Sequence, residues 1–152
     1  LNWGDVEWIK KRWGGKLILK GIMDAEDARL AVNSGADALI VSNHGGRQLD
    51  GAPSSIAALP HIAEAVGKNI EVWMDGGIRS GQDVLKARAL GAQGTLIGRS
   101  FLYGLGAYGE AGVTRALQII QKELDITMAF CGHTNINNVD RSVLLPGTIP
   151  TL

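Results

Sequence analysis

Four times along this chain a short apolar run gives way to a polar, glycine-bearing turn and then to a segment with helical spacing. No other feature constrains the fold as much. The first unit starts with Lys16-Leu-Ile-Leu-Lys20-Gly21, a run whose length and bounding glycines predict a strand buried on both faces. Its helix is capped by Asp24, has Asp27 as its third residue and Ala28, Ala31 and Val32 as its apolar stripe, and stops at Gly35. The second unit has a strand at Ala38 to Ser42 and a helix opened by Ser54 or Ser55 and closed by Gly67. In the third, a strand from Ile70 to Asp75 precedes a helix with Ser80 and Asp83 at its start and Gly91 at its end. The fourth has a strand at Thr95 to Gly98, a short helical piece and a long helix from about Gly109 to Cys131. Ahead of them all, Trp3, Val6, Ile9 and Trp13 recur at steps of three and four, which predicts a helix packed through its tryptophans. Trp8 and Trp73 are read as packing residues too, and Lys10, Lys11 and Arg12 as a solvated face.

Alternating apolar strands and amphipathic helices mean an α/β fold with a parallel sheet and right-handed crossovers. Two closures remain open at this point, a doubly wound sheet or a barrel. A complete eight-unit barrel takes roughly 200 residues or more, and four units fill most of these 152. As a barrel, this is half of one.

Composition narrows the function. Fifteen Lys plus Arg balance fifteen Asp plus Glu, so the chain lacks the basic footprint of a nucleic-acid or polybasic membrane-surface binder. The 21 glycines are about twice the usual ~7% share, in keeping with many tight turns. Cys131 stands alone, excludes an internal disulfide and is expected to be a buried bystander. No apolar stretch approaches the ~18 residues of a spanning helix, and Leu1-Asn2-Trp3 is no signal peptide. The chain opens without Met, so a piece of a longer protein is expected.

In either closure, ligands gather at the carboxyl ends of the strands. There stand Lys20; Ser42-Asn43-His44-Gly45-Gly46-Arg47-Gln48; Asp75-Gly76-Gly77-Ile78-Arg79; and Gly98-Arg99-Ser100. Gly76-Gly77 and Gly98 lie ahead of helices, where unpaired amides and the helix dipole favour an anion, and Arg79 and Arg99 complete a phosphate cradle. His44, flanked by Asn43 and glycines, is placed to take a proton near neutral pH, and Arg47 to clamp a carboxylate beside it. Together they suit oxidation of a 2-hydroxy acid. Lys20 would serve a cofactor ring that accumulates negative charge. His61 and His133 are read as structural. No metal-ligand spacing, nucleophile elbow or Walker loop is present.

These residues resemble the FMN-dependent alpha-hydroxy-acid oxidases and dehydrogenases, the family that includes glycolate oxidase, L-lactate dehydrogenase and mandelate dehydrogenase. Ser42 to Gln48 looks like that family's active-site signature, complete in order and spacing, and Leu19-Lys20-Gly21, Asp75 to Arg79 and Ile97-Gly98-Arg99 match at the expected separations. The resemblance implies a (β/α)8 TIM barrel, of which residues 1–132 supply roughly the last four βα units; residues 133–152, with Pro146, Gly147 and Pro150, read from their own composition as an irregular tail outside it. It implies FMN at the carboxyl rim. Lys20 would stabilise negative charge at the flavin N1 and C2 carbonyl, and Ser42 would hydrogen-bond the ring. His44 would be the base, Arg47 the substrate carboxylate's partner, and Asp75 a ribityl contact, with Gly77, Arg79, Gly98 and Arg99 around the phosphate. The reaction implied is oxidation of an L-2-hydroxy acid, lactate-like, to the 2-keto acid.

The family's first half brings substrate tyrosines, an aspartate partner for the histidine and a second arginine, so activity is expected only with the missing amino-terminal half, in a homo-oligomer. A chain starting at Leu1 begins where the family's mobile loop ends. In membrane-associated relatives that loop carries the anchor; the expected location is cytoplasmic, with any attachment to the inner membrane left to that segment. Two rivals stand beside this reading: another FMN or phosphate barrel, such as an isomerase, and a non-catalytic half-barrel that assembles or stores cofactor.

Overall fold

The computed structural model describes residues 1–149. Four strands, β1 (Ile18–Ile22), β2 (Ala38–Val41), β3 (Glu71–Met74) and β4 (Gly94–Thr95), alternate with helices α2 (Ala25–Asn33), α3 (Ser55–Val66) and α4 (Gly81–Ala89), and α5 (Arg99–Phe130) follows β4. Helix α1 (Trp3–Trp13) comes first, and short 3-10 turns occur at His44–Gly46, Ile136–Asn138 and Arg141–Val143. All pairings are parallel, in the order β1-β2-β3-β4. A doubly wound sheet reverses at a switch point; this one never does. With right-handed crossovers, unbroken sequential order puts the connecting helices on one side, which is the winding of a (β/α)8 barrel.

The helices begin where their side chains take up orphan amides. Asp24 accepts from the amides of Glu26 and Asp27 at 2.8 and 3.3 Å, and Asn2 with Asp5 and Ser80 with Asp83 form reciprocal capping boxes. The core lies between β2 and β3 and their helices: Leu39, Val41, Val72, Ala58, Leu59 and Ile62 are fully buried. Each large one contributes about 1.5–3 kcal/mol of transfer free energy.

Several expectations give way. β1 is not buried on both faces: Ile18 is 43% exposed, at the edge of the sheet among the described residues. β4 pairs only over Gly94–Thr95, short of the expected Thr95 to Gly98, because it has a neighbour on one side alone; the amide of Leu96 still donates to Met74 O at 2.9 Å. Trp8 and Trp13 are 65% and 68% exposed, so α1 is not packed through them. It is anchored by charge instead. Lys10 pairs with Asp37 and donates to Gly15 O at 3.0 Å, which takes it off the solvated face expected for it. Trp73 is half-buried, its Nε1 donating to Glu71 at 3.0 Å. Cys131 is exposed, because it caps the end of α5 beyond the packed part of the helix.

Helix α5 breaks at Tyr108 and Gly109 (φ 59°), separating the expected short piece from the long helix. The two pieces cross so closely that a Cβ on Gly112 would lie 1.9 Å from Gly104 O. Past α5 the chain is irregular yet docked: Arg88 donates to Ile136 O and Asn137 O, both at 3.1 Å, and Val139 packs on Leu85 and Ala89. Residues 150–152 of the expected tail lie outside the described residues. No helix among the described residues is long and apolar enough to cross a membrane.

Candidate functional site

Sequential strand order makes neighbours of Lys20, which lies inside β1 opposite Ile40 and not beyond the strand as expected, and of Ser42 and Asp75, which directly follow β2 and β3. Lys20 Nζ donates to Ser42 Oγ at 3.0 Å and pairs with Asp75 at 2.9 Å, so one ammonium ties three strands together. Lys20 stays 39% exposed in its side chain, and Asp75 already offsets its charge. Ser42, 1% exposed, also accepts the amide of His44 at 3.1 Å.

The loop after β2 is folded by its own side chains. Asn43 accepts from the amide of Gly45 at 2.9 Å and donates to Pro53 O at 3.1 Å, while its own amide donates to Ser55 Oγ at 3.1 Å. These bonds hold His44 at φ 54°, the one non-glycine among the described residues with positive φ. Backbone strain of this kind persists only where surrounding bonds over-determine it. The exposed imidazole turns its Cε1 edge toward Gly21: a Cβ built there would lie 2.8 Å from Cε1 and 3.7 Å from each ring nitrogen.

The phosphate side departs from expectation at one of its two turns. Helix α4 starts four residues after Gly77, and its entry amides are already taken. Asp83 accepts from Arg79 and Ser80 at 3.0 and 2.9 Å, Ser80 Oγ from Asp83, and Glu123 from Gly81 at 3.0 Å. The dipole end of α4 is therefore self-neutralised. Helix α5 is different: Gly98 provides no side-chain cap, and Ser100 Oγ donates away from the helix to Ile78 O at 3.2 Å. An anion meets open amides there. Gly76 and Gly77, at φ 89° and 83°, shape the opposing turn.

Both halves of the site face one cavity of about 270 Å³. Lys20, His44, Arg47 and Asp75 line it together with Gly77, Arg79, Gly98 and Arg99. Arg99 reaches over the histidine loop, its Nη2 3.5 Å from where a Cβ on Gly45 would sit. Four cations against one carboxylate leave the lining strongly positive, and among the described residues Arg47, Arg79 and Arg99 have no ion-pair partner. Of the site residues expected from sequence, only Ser42 lies beneath the lining rather than in it. A larger cavity, about 530 Å³, lies behind Gly76 to Ile78 against Leu90 and Leu144; its walls are mainly apolar. His61 is exposed in α3, away from both.

Three residues hold the site in ways that the sequence pattern does not spell out. Of the two candidate helix openers, Ser54 stands at the N-cap without a side-chain bond, and Ser55 is turned into the site loop. Glu123 has no local signal, being 42 residues from the amide it holds. Gly21 did have one, because a glycine inside an apolar strand marks a bulge or a close approach.

The fold and rim define a class: an α/β barrel segment whose carboxyl-end face gathers an oxyanion cradle and an imidazole. Comparison with known proteins narrows it. A profile described as FMN-dependent dehydrogenase matches residues 1–146. An L-lactate dehydrogenase of Caulobacter sp. (strain K31) is 53% identical over 144 residues, covering 95% of this chain and 38% of that protein. One from Pseudomonas syringae pv. syringae (strain B728a) is 50% identical over 145 residues, with the same coverage. The structure of a mandelate oxidase variant with a monooxide FMN adduct superposes with a TM-score of 0.89 at 45% identity, over 93% of this chain and 45% of that one. The chain belongs to the FMN-dependent dehydrogenase family, and it spans about two fifths of the length of the curated relatives it matches.

Proposed function

We propose that this chain is the FMN-binding carboxyl-terminal half of a barrel enzyme that oxidises an L-2-hydroxy acid, lactate-like, to the 2-keto acid. The observation that carries the reading is the convergence of His44, Arg47 and Lys20 with Arg79 and Arg99 on one positive cavity. The residues fit FMN: the uncapped start of α5 at Arg99, with Arg79 in the lining of the same cavity and neither arginine ion-paired among the described residues, suits a phosphate dianion. Gly77 and Gly98 let the backbone come close, and Asp75 offers a polar contact for the rest of the molecule, while Ser42, beneath the lining, holds Lys20 and the His44 amide in place. When bound, FMN supplies the acceptor for the two electrons that leave the alcohol.

Arg47 holds the substrate carboxylate through paired charge-assisted bonds. His44 takes the proton released by the hydroxy acid on an imidazole nitrogen, work of the kind that contributes ~10²–10⁴-fold to a rate. Lys20, held by Ser42 and Asp75, presents its ammonium to the cavity. The remainder of the barrel is the partner that closes the open sheet edges, and the family relationship to L-lactate dehydrogenases supports this substrate class.

The test uses the full-length flavoprotein and L-lactate. Arg47→Met should leave FMN bound and raise KM for lactate by roughly 10–100-fold, the value of losing about 1.5–3 kcal/mol of charged hydrogen bonding. Unchanged lactate kinetics would mean an FMN barrel with other chemistry; a flavin that lactate never bleaches would mean a storage or assembly module.

A further inference from the structure

Gly21 lies one residue beyond Lys20 and is absent from the roles above, yet three observations single it out. It is the extra residue of a bulge in β1: Lys20 pairs with Ile40 and Ile22 with Val41, leaving Gly21 unmatched. Bulges next to sites re-aim side chains. Its φ is 105°, a backbone that L side chains rarely adopt. And the position a Cβ would take is 2.8 Å from His44 Cε1, about 0.6 Å short of the 3.4 Å at which ordinary contact begins. Among the described residues no side chain hydrogen-bonds the imidazole of His44; its loop is fixed through the backbone by Ser42 and Asn43.

We propose that Gly21 is a positioning residue for His44: the bulged, side-chain-free backbone is the floor that sets how deep the imidazole sits. This rests on the reading of His44 as the base. A methyl group at position 21 strikes the ring edge between the two nitrogens, so either the ring withdraws or β1 moves. Displacements near 1 Å at a reacting group cost up to ~10²-fold in rate.

The experiment is a double-mutant cycle on the full-length FMN-loaded protein, read as the rate of flavin reduction by L-lactate in rapid mixing. Gly21→Ala should slow reduction roughly 10–100-fold with KM changed by less than about 3-fold, because Arg47 still holds the carboxylate. In the His44→Ala background the same change should cost less than about 3-fold, because the ring it acts through is gone. Equal losses in both backgrounds overturn the proposal. Gly14→Ala supplies the control for backbone strain, at φ 70° with nothing within 4 Å of its Cβ position. It should lower stability without slowing reduction, and an equal slowing would overturn the proposal.

Should Gly21→Ala fail to take up FMN, adding His44→Ala removes the struck ring and should restore uptake; no restoration overturns the proposal as well. A distinct outcome belongs to the underlying reading. Wild-type flavin that lactate leaves oxidised, or His44→Ala protein reduced as fast as wild type, ends the assignment of His44 as base, and the role of Gly21 falls with it.

Discussion

Replacing Gly81 by alanine sets helix propensity against packing, and the structure fixes the sign. Gly81 is the first residue of α4, where alanine gains up to about 1 kcal/mol over glycine. Its Cβ, however, would fall 1.9 Å from Leu124 N and 2.4 Å from Glu123 C, both backbone atoms of α5 that no rotamer change can move. Relief requires α4 and α5 to part, and that stretches the 3.0 Å bond from Gly81 N to Glu123. Overpacking typically costs about 1–3 kcal/mol, and a lost bond to a charged acceptor about 1.5–3. After the helix gain, the net is a destabilisation of about 1.5–5 kcal/mol. The assay is urea unfolding of the full-length protein beside Gly106→Ala. Gly106 lies in α5 with nothing within 4 Å of its Cβ position, so alanine there should stabilise by roughly 0.5–1 kcal/mol. Because α4 follows directly on the Gly76 to Arg79 turn, FMN affinity should fall with Gly81→Ala. A Gly81→Ala protein as stable as wild type refutes the reasoning.

Arg99→Ala should weaken FMN binding roughly 10–100-fold in a fluorescence titration while leaving the flavin-free protein's stability unchanged, since Arg99 has no ion-pair partner among the described residues. Asp37 behaves differently. The bond from Lys10, then the amide of Leu17 and the bond from Lys16, hold its carboxyl far below the ordinary 3.8. A depressed folded-state pKa contributes stability that is present above the ordinary value and is lost as pH falls through it toward the folded one. Asp37→Asn should therefore lower stability at neutral pH and flatten its decline below about pH 4, seen as converging urea midpoints in acid.

What the sequence could tell depended on whether an element's partners lie within the chain. β2 and β3 are each other's neighbours and carry their own helices, so their apolar runs read true; all four residues of β2 are buried. The starts of α2 and α4 were equally legible, because a cap is written within four residues. β1 and β4 face outward on one side, as does much of α1, and burial inferred from composition failed at Ile18 and Trp8. Hydrophobicity reports what a residue would bury against, not whether that surface is present in the same chain.

The site shows the same rule from the other side. Lys20, Ser42 and Asp75 are 22 and 33 residues apart, and no local pattern links them. Sequential strand order makes them adjacent: Ser42 and Asp75 stand one step past β2 and β3, and Lys20, inside β1, reaches both with its ammonium. Knowing that ligands gather at strand ends was therefore enough to collect the rim. The amides at the start of α4 are taken for a reason already present in the sequence: the Ser80 and Asp83 that announce a capped helix are the groups that bind them. A glycine turn ahead of a helix favours an anion only where the helix lacks its own cap, and of the two such turns here that condition is met at Gly98, where α5 begins.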